Sequence, residues 1–203
     1  MRILTICLVL TLTAVSLQAQ KTFQEGKHYE VVSQEKSMRI QVTEFFSLFC
    51  GHCFQFEALV DTLEASLGSE AIFRKSHVDY LPRDNEKAQF DIVKAFVTMG
   101  ELDMEKELTR QFFAAIHAKG MKMDTPEEIK KIFLANDVNE VEFDRLFNGE
   151  EVEYRAKEMA KLWEEKKVTN VPTLVVNGMY KIEMGSVRSL QELIDLTNYL
   201  LAK

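Results

Sequence analysis

The alternation of apolar and polar residues gives strand-like periods at the front of the chain, a long helical middle and a mixed end. Residues 28–33, His28-Tyr29-Glu30-Val31-Val32-Ser33, read as a short edge strand. From Arg39 to Phe46, the side chains of Ile40, Val42, Glu44 and Phe46 share one face by the two-residue period of a strand. The spacing then turns helical: Phe56, Leu59, Val60, Leu63 and Leu67 form a stripe, with Gly68 placed for a C′ stop. Ala71 to Val78 reads as a second strand. Strand, helix and strand in this order make a βαβ unit with a parallel pair.

The pattern changes near Pro82, and from Arg83 to about Lys157 only helical periodicity is found. Phe90, Val93 and Val97 mark one helix; Leu108, Phe112, Ala115 and Ile116 mark another. Thr125-Pro126-Glu127-Glu128 is a capping box with Pro at the first helical position, opening a helix through Ile129, Ile132 and Phe133. Asn139 caps a short helix that ends at Asn148-Gly149, and a longer helix carries Val152, Ala156, Met159, Ala160 and Trp163 to about Lys166. The phenylalanines and methionines of this region are expected to be core, and the lone His117 a surface side chain. Strands return at Thr173–Val176. Asn177-Gly178 between two apolar runs signals a hairpin, with a partner strand from Met179 to Met184. Ser189-Leu190-Gln191-Glu192 is a further capping box, opening a last helix through Leu193, Ile194, Thr197 and Leu200.

Two features of this pattern carry chemistry. The apolar run Phe45-Phe46-Ser47-Leu48-Phe49 leads into Cys50-Gly51-His52-Cys53, and the helix follows at once. Cys50 therefore falls at or next to a helix N-terminus, where free N–H groups and the macrodipole favour negative charge. A thiol there ionises readily, and the thiolate is the form that attacks disulfides. His52 adds a positive charge or a hydrogen bond. Cys53, one helical turn on, is within reach of Cys50 for a small disulfide ring. Zinc would need four ligands, and the chain has no second Cys-x-x-Cys or His-x-His cluster. A purely structural disulfide fits less well, since a two-residue loop closes little chain entropy. The second feature is Glu44, a carboxylate in an apolar strand row. It is either a buried proton acceptor near Cys53, with its pKa raised by desolvation, or a side chain reaching solvent at the strand end.

Composition and the N-terminus set the compartment. Met1 to about Ala19 has Arg2, an apolar run from Ile3 to Leu12 and small residues near its end, which reads as a secretory signal peptide. Cleavage is expected after Ala19, with Ser16 as the alternative, and would remove Cys7. One vicinal cysteine pair then remains in an exported chain, where a disulfide can persist. Without Arg2 the chain has 24 basic against 32 acidic residues, a net charge of −8, which argues against nucleic acid as a partner. No later apolar segment is long enough to cross a membrane as a helix.

Taken together, the chain resembles the bacterial periplasmic DsbA family of thiol:disulfide oxidoreductases. The resemblance rests on Glu25-Gly26-Lys27-His28-Tyr29, Glu44-Phe45-Phe46-Ser47, and Cys50-x-His52-Cys53 followed by Gln55-Phe56-Glu57. It extends to Val171-Pro172-Thr173 ahead of Val176-Asn177-Gly178. It implies an α/β thioredoxin fold with an inserted all-helical domain: residues 20–82 and 158–203 thioredoxin-like, 83–157 the insertion. It further implies that Cys50 is the exposed nucleophile, Cys53 the buried resolving cysteine, and His52 a stabiliser of the Cys50 thiolate. Pro172 would be a cis proline facing the disulfide, with Val171 and Gly51 beside the substrate, and Glu44, Glu57 and Lys75 the charges beneath the site. No metal or dissociable cofactor is implied. The implied partners are unfolded exported proteins with cysteines, and a DsbB-type membrane quinone reductase as reoxidant of a monomeric enzyme in the periplasm.

One position departs from the family pattern. Gly51 stands where the family usually has proline, and Cys-Gly-His-Cys is the pattern of the eukaryotic disulfide isomerases. A second expectation is therefore an isomerase or reductase kept reduced in the cell. A third is a peptide-binding or chaperone module whose cysteines are incidental, which an inert Cys50 would mark.

Overall fold

A computed structural model describes residues 22–82 and 84–203. The expected leader, its cleavage after Ala19 or Ser16, and Cys7 lie outside the described residues. Five strands form one mixed sheet, ordered β1-β5-β4-β2-β3. They are β1 (Tyr29–Val31), β2 (Gln41–Phe46), β3 (Ile72–His77), β4 (Thr173–Val176) and β5 (Tyr180–Ile182). β2 and β3 pair in parallel, joined by α1 (Gly51–Ala65), and the other pairings are antiparallel. β4 and β5 are joined through Asn177, Gly178 and Met179: Val176 pairs with Tyr180, the Met179 N–H donates to the Val176 carbonyl at 3.0 Å, and Asn177 and Gly178 hold positive φ (52° and 68°).

β2 lies between β4 and β3, and its position alters the expected row. Val42, Glu44 and Phe46 are fully buried, as the period suggested, but Thr43 and Phe45 on the other face are buried too. A central strand covered on both sides has no polar face. On one side α1 and α7 (Leu190–Leu201) pack Val60, Leu63, Leu193 and Leu196 on Val42, Leu174 and Val176. On the other, Leu162 and Trp163 of α6 (Glu150–Glu165) cover Phe45, Val78 and Val175. Ile40 falls outside the strand and is 43% exposed, and Leu59 on α1 is 38% exposed. Gly68 does not stop α1. The helix ends at Ala65, capped at Ser66, whose hydroxyl donates to the Leu63 carbonyl at 2.6 Å. Gly68 instead accepts from the Ala71 N–H in the turn into β3, with no left-handed backbone.

The helical middle consists of α2 (Glu86–Glu101), α3 (Glu105–Phe113), a π-helical turn (Ala114–Ala118), α4 (Pro126–Leu134), α5 (Glu140–Phe147) and the first part of α6. Its caps form as the residue types require. Thr125, Asn139 and Ser189 each accept backbone N–H groups from their own first turns. The carboxylates of Glu128 and Glu192 reach one residue further back than a closed box would, to the N–H groups of Asp124 and Arg188. Phe112, Phe133, Phe143 and Phe147 form a chain of ring contacts through the core, with centroids 4.8 to 5.5 Å apart. That core also contains Phe46, Leu48 and Cys53. The end of β2 and the first turn of α1 are thus packed into the helical middle. α6 runs unbroken through 157 and 158, from Val152 and Ala156 against α2 to Leu162 and Trp163 against the sheet.

Candidate active site

Cys50 is the N-cap residue of α1, with extended backbone (φ −90°, ψ 116°). Its sulfur accepts the N–H of Cys53 at 3.4 Å and lies 3.5 Å from the Val171 carbonyl, to which the thiol donates. The Val171–Pro172 peptide is cis, as is Leu81–Pro82, which nothing in the residue pattern announced. Cys50 is half-buried and Cys53 fully buried, and both thiols are free. The sequence pattern thus leads to one accessible sulfur and one shielded sulfur a helical turn apart.

The two sulfurs differ sharply in acidity. Chiefly the Cys53 thiol, hydrogen-bonded to the Cys50 sulfur, brings the Cys50 pKa from 9.0 down to about 6. Partial burial opposes this, while the backbone N–H groups of Cys53 and His52 assist, and the His52 ring charge contributes least. His52 is exposed, which screens that charge. A thiol of pKa about 6 is about nine-tenths thiolate at pH 7, where one at 9.0 is about one-hundredth. Cys53 moves the other way. Burial, then the donated hydrogen bond and the charges of Cys50 and Glu44, raise it far above the ordinary range. A β-carbon at Gly51 would meet nothing within 4 Å, so the fold does not dictate glycine there.

Beneath the sulfurs lies a buried charge cluster. The Lys75 ammonium donates to Glu44 at 2.6 Å and to Glu57 at 2.7 Å. Glu44 is fully buried, and burial lifts its carboxyl above the usual carboxylate range despite Lys75. Its second oxygen has no hydrogen-bond partner. Burial also works against the Lys75 charge, but Glu44 and Glu57 outweigh it and hold its pKa above 10.5. A cleft of about 370 Å³, lined by Glu57, Lys75, Asp103, Glu105 and Lys106 among others, adjoins the cluster. Among the described residues, no group of three or more His, Cys, Asp or Glu is arranged to hold a metal ion.

Two histidines belong to the site although the motif did not mark them. His77, fully buried at the end of β3, accepts the Leu48 N–H at Nε2 (2.9 Å) and donates Nδ1–H to the Val78 carbonyl (2.7 Å). An N–H can only donate, so this geometry fixes the neutral tautomer. Burial brings the His77 pKa from 6.5 down to about 3. His117, expected at the surface, is half-buried and donates Nε2–H to the Leu48 carbonyl at 2.8 Å. His77 was readable in principle, as a polar residue in the buried row of a strand like Glu44. His117 carried no such signal.

The His77 geometry has a measurable pH signature. A pKa depressed by folding contributes stability that is present above about 6.5 and lost as pH falls toward about 3. Urea denaturation between pH 7 and 4 is expected to show a steeper loss for the native chain than for His77→Gln. Parallel curves would mean that His77 does not titrate with unfolding.

A sheet of this order, with a Cys-x-x-Cys at the N-terminus of the helix after β2, defines a thioredoxin-fold protein with a dithiol site. A family model described as the DSBA-like thioredoxin domain matches residues 41–194, and the chain belongs to that family. The thiol:disulfide interchange protein DsbA of Haemophilus influenzae is 30% identical over 162 residues, spanning 78% of this chain and 76% of its own. DsbA of Pseudomonas aeruginosa is 28% identical over 185 residues, 89% of this chain and 85% of its own. A crystal structure of a substituted P. aeruginosa DsbA superposes with a TM-score of 0.79 at 26% identity, covering 89% of this chain and 97% of that one.

Proposed function

We propose that this chain introduces disulfide bonds into exported proteins by dithiol–disulfide exchange through Cys50 and Cys53 of its Cys-Gly-His-Cys motif. It is a thiol:disulfide oxidoreductase of the DsbA-like family. The observation that carries the reading is the pair itself: an accessible sulfur at a helix N-cap, with its pKa near 6, backed by a buried thiol one turn on. In the oxidised enzyme a substrate thiolate attacks Cys50, and the Cys50–Cys53 bond breaks. Cys53 leaves with the electron pair and takes up a proton. A second substrate thiolate then attacks the substrate sulfur of the mixed disulfide. Cys50 departs as its stabilised thiolate, and two electrons have moved from substrate to enzyme.

In this reading Glu44 exchanges a proton with Cys53, which is too basic to lose one unaided at neutral pH. Lys75, itself tied to Glu57, holds Glu44 in place, and the adjoining cleft gives the proton a way out. Val171, Pro172 and Gly51 flank the accessible sulfur, and the Val171 carbonyl beside it suits pairing with an extended substrate segment. His52 supports the Cys50 thiolate first through its backbone N–H. Reoxidation falls to a DsbB-type membrane quinone reductase. The enzyme works as a monomer in the periplasm after removal of residues 1–19. Residues 20–82 and 158–203 form its thioredoxin-like part, and 83–157 its helical insertion.

The oxidised protein is expected to convert a reduced two-cysteine peptide to its disulfide stoichiometrically at pH 7. Thiol alkylation of intact cells should find Cys50–Cys53 mostly oxidised. A mostly reduced pair would shift the role to isomerase or reductase. Failure to react with the peptide would reduce it to a binding module.

A further inference from the structure

Past the end of β2 the backbone leaves the strand ladders before it reaches Cys50. The parallel ladder with β3 ends at Phe46 opposite His77, and the antiparallel ladder with β4 ends at Phe45 opposite Thr173. Val78 donates to the Phe46 carbonyl, Phe49 N–H goes to the Ser47 hydroxyl, and Cys50 N–H to the Ser47 carbonyl. Leu48 remains. It is fully buried, and neither strand ladder reaches its N–H or its carbonyl. Burying either group unpaired would be destabilising, since water can no longer satisfy it. Two imidazoles meet this need from opposite parts of the fold, His77 from the sheet and His117 from the helical insertion.

The His117 ring does a second thing. It stacks flat on Phe54, the residue after Cys53, with centroids 5.2 Å apart and planes 9° from parallel. One ring therefore grips the chain two residues before Cys50 and one residue after Cys53. Its placement depends on the π-helical turn Ala114–Ala118, closed by the Lys119 N–H on the Ala114 carbonyl. A π turn holds one extra residue, so side chains beyond it are rotated by roughly 100° from an unbroken α-helix. A carbonyl only accepts, so His117 needs a hydrogen on Nε2, and both the matching neutral tautomer and the charged ring have one.

We infer that His117 is a positioning residue for Cys50, through which the helical insertion sets the acidity of the attacking sulfur. The inference deepens the proposed exchange chemistry and rests on it. The sulfur's bond to the Cys53 N–H is 3.4 Å long, and the Cys53 thiol is the largest cause of the lowered Cys50 pKa. A hydrogen bond weakens steeply as its angle bends away from linear. Once Leu48 is released on one side, the Ser47–Cys50 turn is free to shift against the first turn of α1, and the thiolate loses donors.

The test compares three variants with the native chain. His117→Phe keeps a flat ring over Phe54 and removes the donor. His117→Gln keeps an N–H donor and removes the ring. His117→Asn, too short to reach Leu48, replaces the Phe variant if that one does not fold. The rate of Cys50 alkylation by iodoacetamide against pH, read by mass spectrometry of its peptide, gives the pKa. Equilibration with glutathione gives the redox constant.

His117→Phe (or Asn) is expected to raise the Cys50 pKa from about 6 by about one unit and, at pH 7, to shift the glutathione equilibrium about fivefold toward the oxidised protein. His117→Gln should lie near the native values. An unchanged pKa and equilibrium alongside a lowered melting temperature would reduce His117 to a structural contact and overturn the inference. So would a His117→Gln shift as large as that of His117→Phe. Neither readout uses a protein substrate. Failure of the native chain to oxidise peptides would thus count against the proposed function alone.

Discussion

Replacing Cys53 by alanine is expected to end two-electron turnover and to leave Cys50 both less acidic and easily trapped. The native reduced protein, given oxidised glutathione, should pass through a Cys50–glutathione adduct and close to the Cys50–Cys53 disulfide. Cys53→Ala should stop at the adduct, because no second sulfur is present to displace glutathione. The same substitution removes the thiol that contributes most to the low Cys50 pKa. That pKa should climb from about 6 back toward 9.0, by about one to two units. Glu44→Gln gives the finer version. Attack on glutathione disulfide by Cys50 should keep its rate, while ring closure slows, since Cys53 must lose a proton to attack. Stopped-flow traces in which only the attack step changes would reassign Glu44 to Cys50.

Lys75→Met is expected to be the most destabilising single change in the charge cluster, by about 3–5 kcal/mol, because it leaves Glu44 buried without its cation and Glu57 with only Arg110, 3.9 Å away. Urea denaturation at pH 7 measures it. The loss should also depend on pH with a definite sign. Glu44 has a folded pKa above its ordinary 4.5 even beside Lys75, and burial without the lysine pushes it further up. A raised carboxylate contributes stability that is full below about 4.5 and lost as pH rises through the folded value. The gap between Lys75→Met and the native chain should therefore narrow toward pH 5. Adding Glu44→Gln to Lys75→Met should recover part of the loss at pH 7. A gap constant with pH, and no recovery, would mean that Lys75 acts through packing alone.

What the residue pattern determined by itself is what depends on near neighbours in the chain. The caps at Thr125, Asn139 and Ser189, the Asn177-Gly178 hairpin, and Cys50 at the start of α1 all rest on contacts within about one helical turn. Residue type and spacing specify such contacts directly. Glu44 stood out because a carboxylate broke an apolar period, and its burial beside Lys75 followed once β2 met β3.

Tertiary structure decided the rest. Both faces of β2 are buried because α6 returns across the sheet after a whole helical insertion. Gly68 lost its expected role because Ser66 already satisfies the end of α1. His77 and His117 reach the Leu48 peptide across 29 and 69 residues of sequence. No local period records such a distance, since what selects the partner is a buried peptide group with no strand left to pair with it. The motif supplied the two sulfurs, and the folded chain decided how firmly the first of them is held.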